Sequence, residues 1–143
     1  MNKIVVNLDL HGGDFAPLSV IDGARIALAK HNNLVFRLHA DQSTYNQYSK
    51  QYSDVFEISD WIECENFIPP EMKPSEALKK ENRNSSMSNA ISSLKDNKDQ
   101  ITVSAGNTGA MLAYSTIYLR TIENISRPAI ASLFPPSYIQ FVF

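Results

Sequence analysis

The sequence predicts an α/β fold, a mostly parallel sheet with helices on both faces, and three observations carry that expectation. Short β-rich segments alternate with segments of helical hydrophobic period along the chain. A strand, glycine loop and helix occur in succession around Gly12 and Gly13, and the same succession recurs around Gly106 and Gly109. The 143 residues, 43% hydrophobic and 20% charged with a formal charge of −2, suffice for one domain with a proper core and no disulfide or metal staple.

Residues 4–10 are β-rich and run into the loop of Gly12, Gly13 and Asp14, after which Pro17 suits the first turn of a helix. Over residues 17–30, Val20, Ile21, Ala24, Ala27 and Leu28 recur at helical spacing as one buried stripe, and Asn32 and Asn33 end the helix. Residues 34–39 read as a strand and the polar, tyrosine-bearing residues 43–52 as a helix. At least one of the apolar pieces 55–58 and 61–64 is the third strand, and Pro69 with Pro70 then forces a loop. A helical turn or two is expected over 74–80, a polar stretch over 79–86, and a helix over 85–95 with Met87, Ile91 and Leu94 on one face. Residues 101–104 are the next strand, 110–120 the helix after the second glycine loop, and 129–134, just past Pro128, the last strand. Such alternation implies parallel strands with right-handed crossovers, and ligands of such sheets collect at the carboxyl ends of the strands.

Composition excludes several functions. Charge is near balance and no basic run is interleaved with aromatics, which argues against nucleic acid as a partner. Cys64 is the only cysteine, so an intrachain disulfide and a Cys-rich zinc site are ruled out, a usage that suits the cytoplasm. His11, His31 and His39 lack metal-ligand spacing, and neither a metal nor a cofactor is expected. The N-terminal apolar segment is interrupted by Asn7 and Asp9, too short for a secretory signal. No apolar run approaches the ~20 residues that cross a bilayer.

Gly12, Gly13, Gly106 and Gly109 are four of the five glycines, and all four lie in the two strand-to-helix loops. Glycine lets backbone amides approach a ligand closely, and the helix that follows adds unpaired N–H groups and a positive dipole end, so both loops suit phosphate. The alternative, that these glycines only permit left-handed turns before helices, stays open. Neither loop is a dinucleotide or Walker fingerprint. Asp9 and Asp14 flank the first loop and can bond its amides or orient a substrate, with Asp14 taken alone reading first as a helix cap. Asn107 and Thr108 supply an amide and a hydroxyl suited to developing negative charge on a carbonyl oxygen, or alternatively an Asx turn and a cap. Ser85 and Ser86 precede a helix and read as caps before nucleophiles. Lys79, Lys80 and Arg83 suit an anionic substrate or acidic partner, or else a solvated surface. Cys64 reads as core, and His11 is the histidine worth testing.

The run Asp9, Leu10, His11, Gly12, Gly13, Asp14, Phe15, Ala16, Pro17, followed far downstream by Ser104, Ala105, Gly106, Asn107, Thr108, Gly109, Ala110, closely resembles the bacterial phosphate acyltransferases of phospholipid synthesis, the PlsX family. Arg83 with Ser85, Ser86 and Met87, and Arg127 with Pro128 and Ala129, match as well. The likeness runs from about residue 3 to about residue 135, so residues 1–135 are expected to be the N-terminal part of a phosphate acyltransferase domain and 136–143 an unmatched tail.

The resemblance implies that inorganic phosphate attacks the thioester of an acyl carrier protein to give acyl phosphate. It also implies a phosphotransacetylase-like fold, a homodimer, and a cytoplasmic enzyme able to associate peripherally with membranes. It places phosphate at Gly12, Gly13, Asp14, Gly106 and Gly109, thioester or oxyanion contacts at Asn107, Thr108 and Asp9, and leaves Arg83, Ser85 and Ser86 as further candidates. His11 stands where the family pattern commonly has methionine, so the likeness gives it no role. Family chains are much longer, which implies a truncated chain, inactive or marginal alone, from a frameshifted or split gene, with a complementing C-terminal fragment as a partner. The rival expectation is a non-catalytic module that binds phosphate or phosphorylated metabolites.

Overall fold

Alternation within the first strand decides how the sheet is covered. In β1 (Ile4–Asp9), Val6 and Leu8 point to one side and Asn7 and Asp9 to the other. A computed structural model describes residues 3–97 and 99–131. In it β1 joins β2 (Leu34–Ala40), β3 (Asp60–Glu63) and β4 (Gln100–Val103) in an all-parallel sheet of order β3-β2-β1-β4. The register sets Val6 beside Phe36 and Ile101, and Leu8 beside Leu38 and Val103, so these six share one face.

That face is covered by α1 (Leu18–Lys30) and α3 (Ser53–Phe56), whose Ile21, Ala24, Val55 and Phe56 close a core with Val6, Leu8, Phe36 and Leu38. Each larger side chain so buried contributes roughly 1.5–3 kcal/mol. Among the described residues the cover stops at β1, and over β4 Ile101 and Val103 stay 50% and 47% exposed.

On the opposite face α5 (Ser86–Ser92) packs against β1 and β2, and α6 (Thr108–Tyr118) packs on α5. A second core forms there from Ile68, Ala77, Met87, Ile91, Ala110 and Tyr114, with α4 (Pro74–Ala77) at its edge. Beneath α5 the sheet is polar. Asn7 and His39 are fully buried, with His39 Nε2 3.1 Å from Asn7 Oδ1. Asn7 Nδ2 donates to Gln100 Oε1 at 3.0 Å, an oxygen that also accepts from Arg37. The Thr102 hydroxyl donates to the Ala90 carbonyl at 2.7 Å and ties β4 to α5. Cys64 is buried as expected, and burial pushes its thiol up to about 11.

Local differences from the expected elements have local causes. The helix expected over 43–52 is α2 (Gln42–Tyr48), capped by Asp41, followed by a break and then α3. The apolar piece 55–58 is not a strand, because Val55 and Phe56 sit on α3 and bury against α1. The third strand is β3, which overlaps the second apolar piece at residues 61–63. A single 3₁₀ turn, Lys80–Asn82, leads to α5. Of the last strand expected over 129–134, residues 129–131 have no regular structure, and the remainder lies outside the described residues, as does the tail at 136–143. No helix among the described residues is long and apolar enough to cross a membrane.

Candidate functional site

Strand order places the site. The connections from β1 to β2 and from β3 to β4 run over opposite faces of the sheet and in opposite directions, so the order reverses between β1 and β4. The loops leaving those two strands flank the crevice where such sheets take ligands, and they are the two glycine loops.

The loops touch. A Cβ on Gly12 would lie 2.7 Å from Ser104 Oγ and 2.8 Å from the backbone nitrogens of Ala105 and Gly106. Gly12 is thus required by close backbone packing of loop on loop. Gly13 has φ +105°, the left-handed region that glycine occupies without strain. Asp9, only 2% exposed, clasps the pair, for Oδ2 accepts the Ser104 hydroxyl at 2.7 Å and Oδ1 accepts the His11 amide at 3.2 Å. Ser104 Oγ in turn accepts the Gly106 amide at 3.1 Å. In the sequence Ser104 stands only as the first residue of the run that ends at Ala110. Its signal is its position, the residue between a strand end and a glycine loop.

Gly13, Asp14, Gly106, Asn107 and Thr108, with Ala105 and Pro70, line an open cleft of about 250 Å³. The amides of Gly13, Asp14, Asn107 and Thr108 meet no acceptor among the described residues, and Thr108 begins α6, so unpaired donors and a positive helix end lie at this cleft. The lining carries no cationic side chain, and it includes the acidic residue Asp14. Donors of this kind suit an oxyanion, with little charge compensation from this chain.

Asn107 is the N-cap of α6, with Oδ1 accepting from the Ala110 amide at 2.9 Å. Its Nδ2 lies 3.3, 2.9 and 2.7 Å from the carbonyls of Pro69, Pro70 and Met72. The side chain therefore clamps the Pro69–Pro70 loop against the cleft, a contact that nothing in the sequence near Asn107 reveals. Asp14 is not the helix cap expected of it. Pro17 holds the N-cap position of α1 without a side-chain bond, and Asp14 is exposed three residues upstream.

The other candidates lie elsewhere. A Cβ on Gly109 would meet Pro74 Cγ at 2.8 Å, so this glycine lets α4 close on α6. Arg83 lines a separate surface hollow with Leu78, Tyr114, Ile117 and Tyr118. Ser85 is the buried cap of α5, accepting the Ser88 amide, and Ser86 is buried with its hydroxyl unpartnered among the described residues. His11 turns from the cleft lining toward α2, stacking on Phe67 at 4.9 Å, with Nε2 3.4 Å from the Thr44 hydroxyl and 3.7 Å from Asp41. It pins the first loop to the cap of α2. Among the described residues no group of three or more His, Cys, Asp or Glu side chains is placed to hold a metal ion.

Comparison with known proteins supplies the family. A family model described as "Fatty acid synthesis protein" matches residues 4–142. The chain is 43% identical over 141 residues to a phosphate acyltransferase of Wolbachia pipientis subsp. Culex pipiens, and 39% identical over 132 residues to one of Agrobacterium fabrum. It is 37% identical over 132 residues to one of Parvibaculum lavamentivorans. These alignments take in 92–94% of this chain but 37–40% of the relatives, so the chain spans about two fifths of their length. The chain thus belongs to the fatty acid synthesis protein family, that of the PlsX phosphate acyltransferases.

Proposed function

We propose that the cleft between the two glycine loops is the phosphate-side part of a site that transfers an acyl group from acyl carrier protein to inorganic phosphate. The observation that carries this reading is the direct contact of the loops at the β1/β4 reversal, which gathers the unpaired amides of Gly13, Asp14, Asn107 and Thr108 around one cleft. A phosphate oxygen attacks the thioester carbonyl carbon, the tetrahedral oxyanion collapses, and the carbon–sulfur bond breaks. The proton of hydrogen phosphate passes to the departing thiolate, leaving acyl phosphate and the free thiol of the carrier.

Phosphate is already anionic and a thiolate is a tolerable leaving group, so the site must chiefly hold phosphate in line and stabilise the oxyanion. In this scheme backbone donors of both loops contact phosphate and the oxyanion, and Thr108 offers its hydroxyl at the start of α6. Asp9 and Asn107 act as positioning residues, the first by joining the loops and the second by fixing α6 and the Pro69–Pro70 loop. Because the cleft lacks a cation and the chain spans two fifths of its relatives, turnover needs the remainder of the family sequence. The whole enzyme is a cytoplasmic homodimer in peripheral contact with the membrane.

A chimera tests this. Residues 1–131 replace the matched part of the Wolbachia relative, and phosphate-dependent release of carrier thiol from acyl carrier protein is followed. Turnover within ~10-fold of the parent is expected, a loss of no more than about 1.4 kcal/mol in barrier. A folded chimera that binds phosphate without releasing thiol would instead favour a non-catalytic phosphate-binding module.

A further inference from the structure

His11 is joined to both glycine loops through its backbone and to α2 through its ring. Its amide donates to Asp9 Oδ1 at 3.2 Å, Asp9 Oδ2 accepts the Ser104 hydroxyl, and Ser104 Oγ accepts the Gly106 amide. One continuous set of hydrogen bonds thus runs from His11 to the second loop. In the first loop His11 directly precedes Gly12, which packs on Ser104, Ala105 and Gly106.

The ring sits where a single proton changes its partner. The side chain is 13% exposed and stacks on Phe67, with Nε2 3.4 Å from the Thr44 hydroxyl and 3.7 Å from Asp41 Oδ2. Without a proton Nε2 accepts from Thr44; with one it donates, and Asp41 is the anionic acceptor beside it. At 3.7 Å the two are not hydrogen-bonded, whereas charge-assisted bonds of this type close to about 2.7–2.9 Å. Asp41 is held in place, because its Oδ1 caps α2 by accepting the Thr44 amide at 2.8 Å. Protonation therefore draws the ring, and with it the first loop, toward α2.

The other titratable groups on the surrounding elements are engaged elsewhere. Asp9 is bound by the His11 amide and the Ser104 hydroxyl, and burial keeps the Cys64 thiol neutral. Glu63 and Glu65 are exposed, the latter accepting from the Asn84 side chain, and Tyr45 of α2 packs on Phe56 and Trp61. Among the described residues Asp41 is the one acidic side chain within 4 Å of the ring.

We infer that His11 is a proton-operated positioning residue, which in its charged form ties the first glycine loop to the Asp41 cap of α2 and so holds the amides of both loops in place for an oxyanion. That the oxyanion is phosphate rests on the function proposed above, whereas the coupling of the proton to the loops does not. The proton acts with one sign in two ways, since it also adds positive charge next to a loop whose cleft has no cationic side chain in its lining. Imidazoles ordinarily change charge between about pH 5 and 8. In that range His39 stays neutral, lowered to about 4 by burial, and His31 lies at the far end of α1.

The experiment compares the ¹⁵N-labelled parent chain with His11→Met and Asp41→Asn from about pH 5.5 to 8. Methionine keeps a contact with the Phe67 ring without a charge, and asparagine keeps the cap of α2. Without ligand, the amides of Gly12, Gly13 and Gly106 should shift with pH in the parent and hold still in both variants. In phosphate titrations the ratio of variant to parent Kd should be at least ~5-fold larger at the acid end than at the alkaline end, as expected for a coupling of ordinary size. Protonation of phosphate itself is common to all three proteins and cancels in that ratio. The double variant should bind no more weakly than either single one. Loop amides that move with pH in the variants as they do in the parent overturn the inference. So does a ratio that is constant across the range, the mark of a merely structural contact. Loops that respond to the proton in a parent that never binds phosphate saturably overturn the phosphate reading of the cleft and leave the positioning role standing. If His11→Met does not fold, Asp41→Asn, which retains the ring, decides the matter alone.

Discussion

At Gly12 a single hydrogen atom separates two loops that would otherwise collide, whereas at Gly23 the same hydrogen faces open space. Alanine at the two sites should therefore act in opposite directions. Gly12→Ala drives a methyl group into Ser104 and the backbone of Ala105 and Gly106, and should cost about 1–3 kcal/mol. Gly23→Ala removes backbone freedom from a helix interior and should add up to about 1 kcal/mol. Urea midpoints of the two variants test this, and a Gly12→Ala chain as stable as its parent would mean that the loops do not touch.

Asn107 makes a second residue-level test, because its cap and its clamp can be separated. Asn107→Ala loses the cap, about 1 kcal/mol, and the donors to the Pro69, Pro70 and Met72 carbonyls. Asn107→Asp keeps the cap acceptor but sets a carboxylate against those carbonyls. Amide exchange should show an intact start of α6 and a released Pro69–Pro70 loop in the aspartate variant, and both released in the alanine variant. In contrast, Arg83→Ala, remote from the cleft, should leave phosphate affinity within about twofold, a change under roughly 0.5 kcal/mol.

Among the elements, the strands and the two long helices were legible because each carries its own period. Ile21 and Ala24 face the sheet as their spacing requires, and Val6 and Leu8 alternate with Asn7 and Asp9. Segments whose environment is made elsewhere were not legible. Val55 and Phe56 look like strand residues, yet they form a short helix because α1 offers them an apolar surface. The clamp of Asn107 on residues 69–72 and the clasp of Asp9 on Ser104 join positions far apart in the chain, so no local pattern announces them. The glycines could be read, but their purpose could not. Two of the four line the cleft, Gly12 serves loop contact and Gly109 serves helix contact.

The buried polar face beneath α5 also sets a pH dependence. Burial, assisted by the nearby Arg37 charge, lowers the His39 imidazole from 6.5 to about 4, so it stays neutral in the folded chain while the unfolded chain takes a proton below 6.5. Its contribution is complete above pH 6.5 and lost as pH falls from there through about 4, in total about 3 kcal/mol. His39→Gln should flatten the stability curve in that window, measured by urea unfolding at successive pH values. An unchanged slope would show that His39 is not the group responsible.

For the whole molecule, the balance lies between a cleft complete in backbone donors and one incomplete in charge. The loops are held by groups this chain supplies, Asp9, Ser104, Asn107 and His11, so the amide array exists without the rest of the family sequence. Binding by amides and a helix end without a cation should be weak, with a dissociation constant on the order of millimolar. The most direct measurement is a titration of the ¹⁵N-labelled chain with inorganic phosphate, read amide by amide. Saturable shifts concentrated at Gly13, Asp14, Gly106, Asn107 and Thr108 are predicted. Shifts centred away from both loops, or reproduced by chloride at matched ionic strength, would contradict the account.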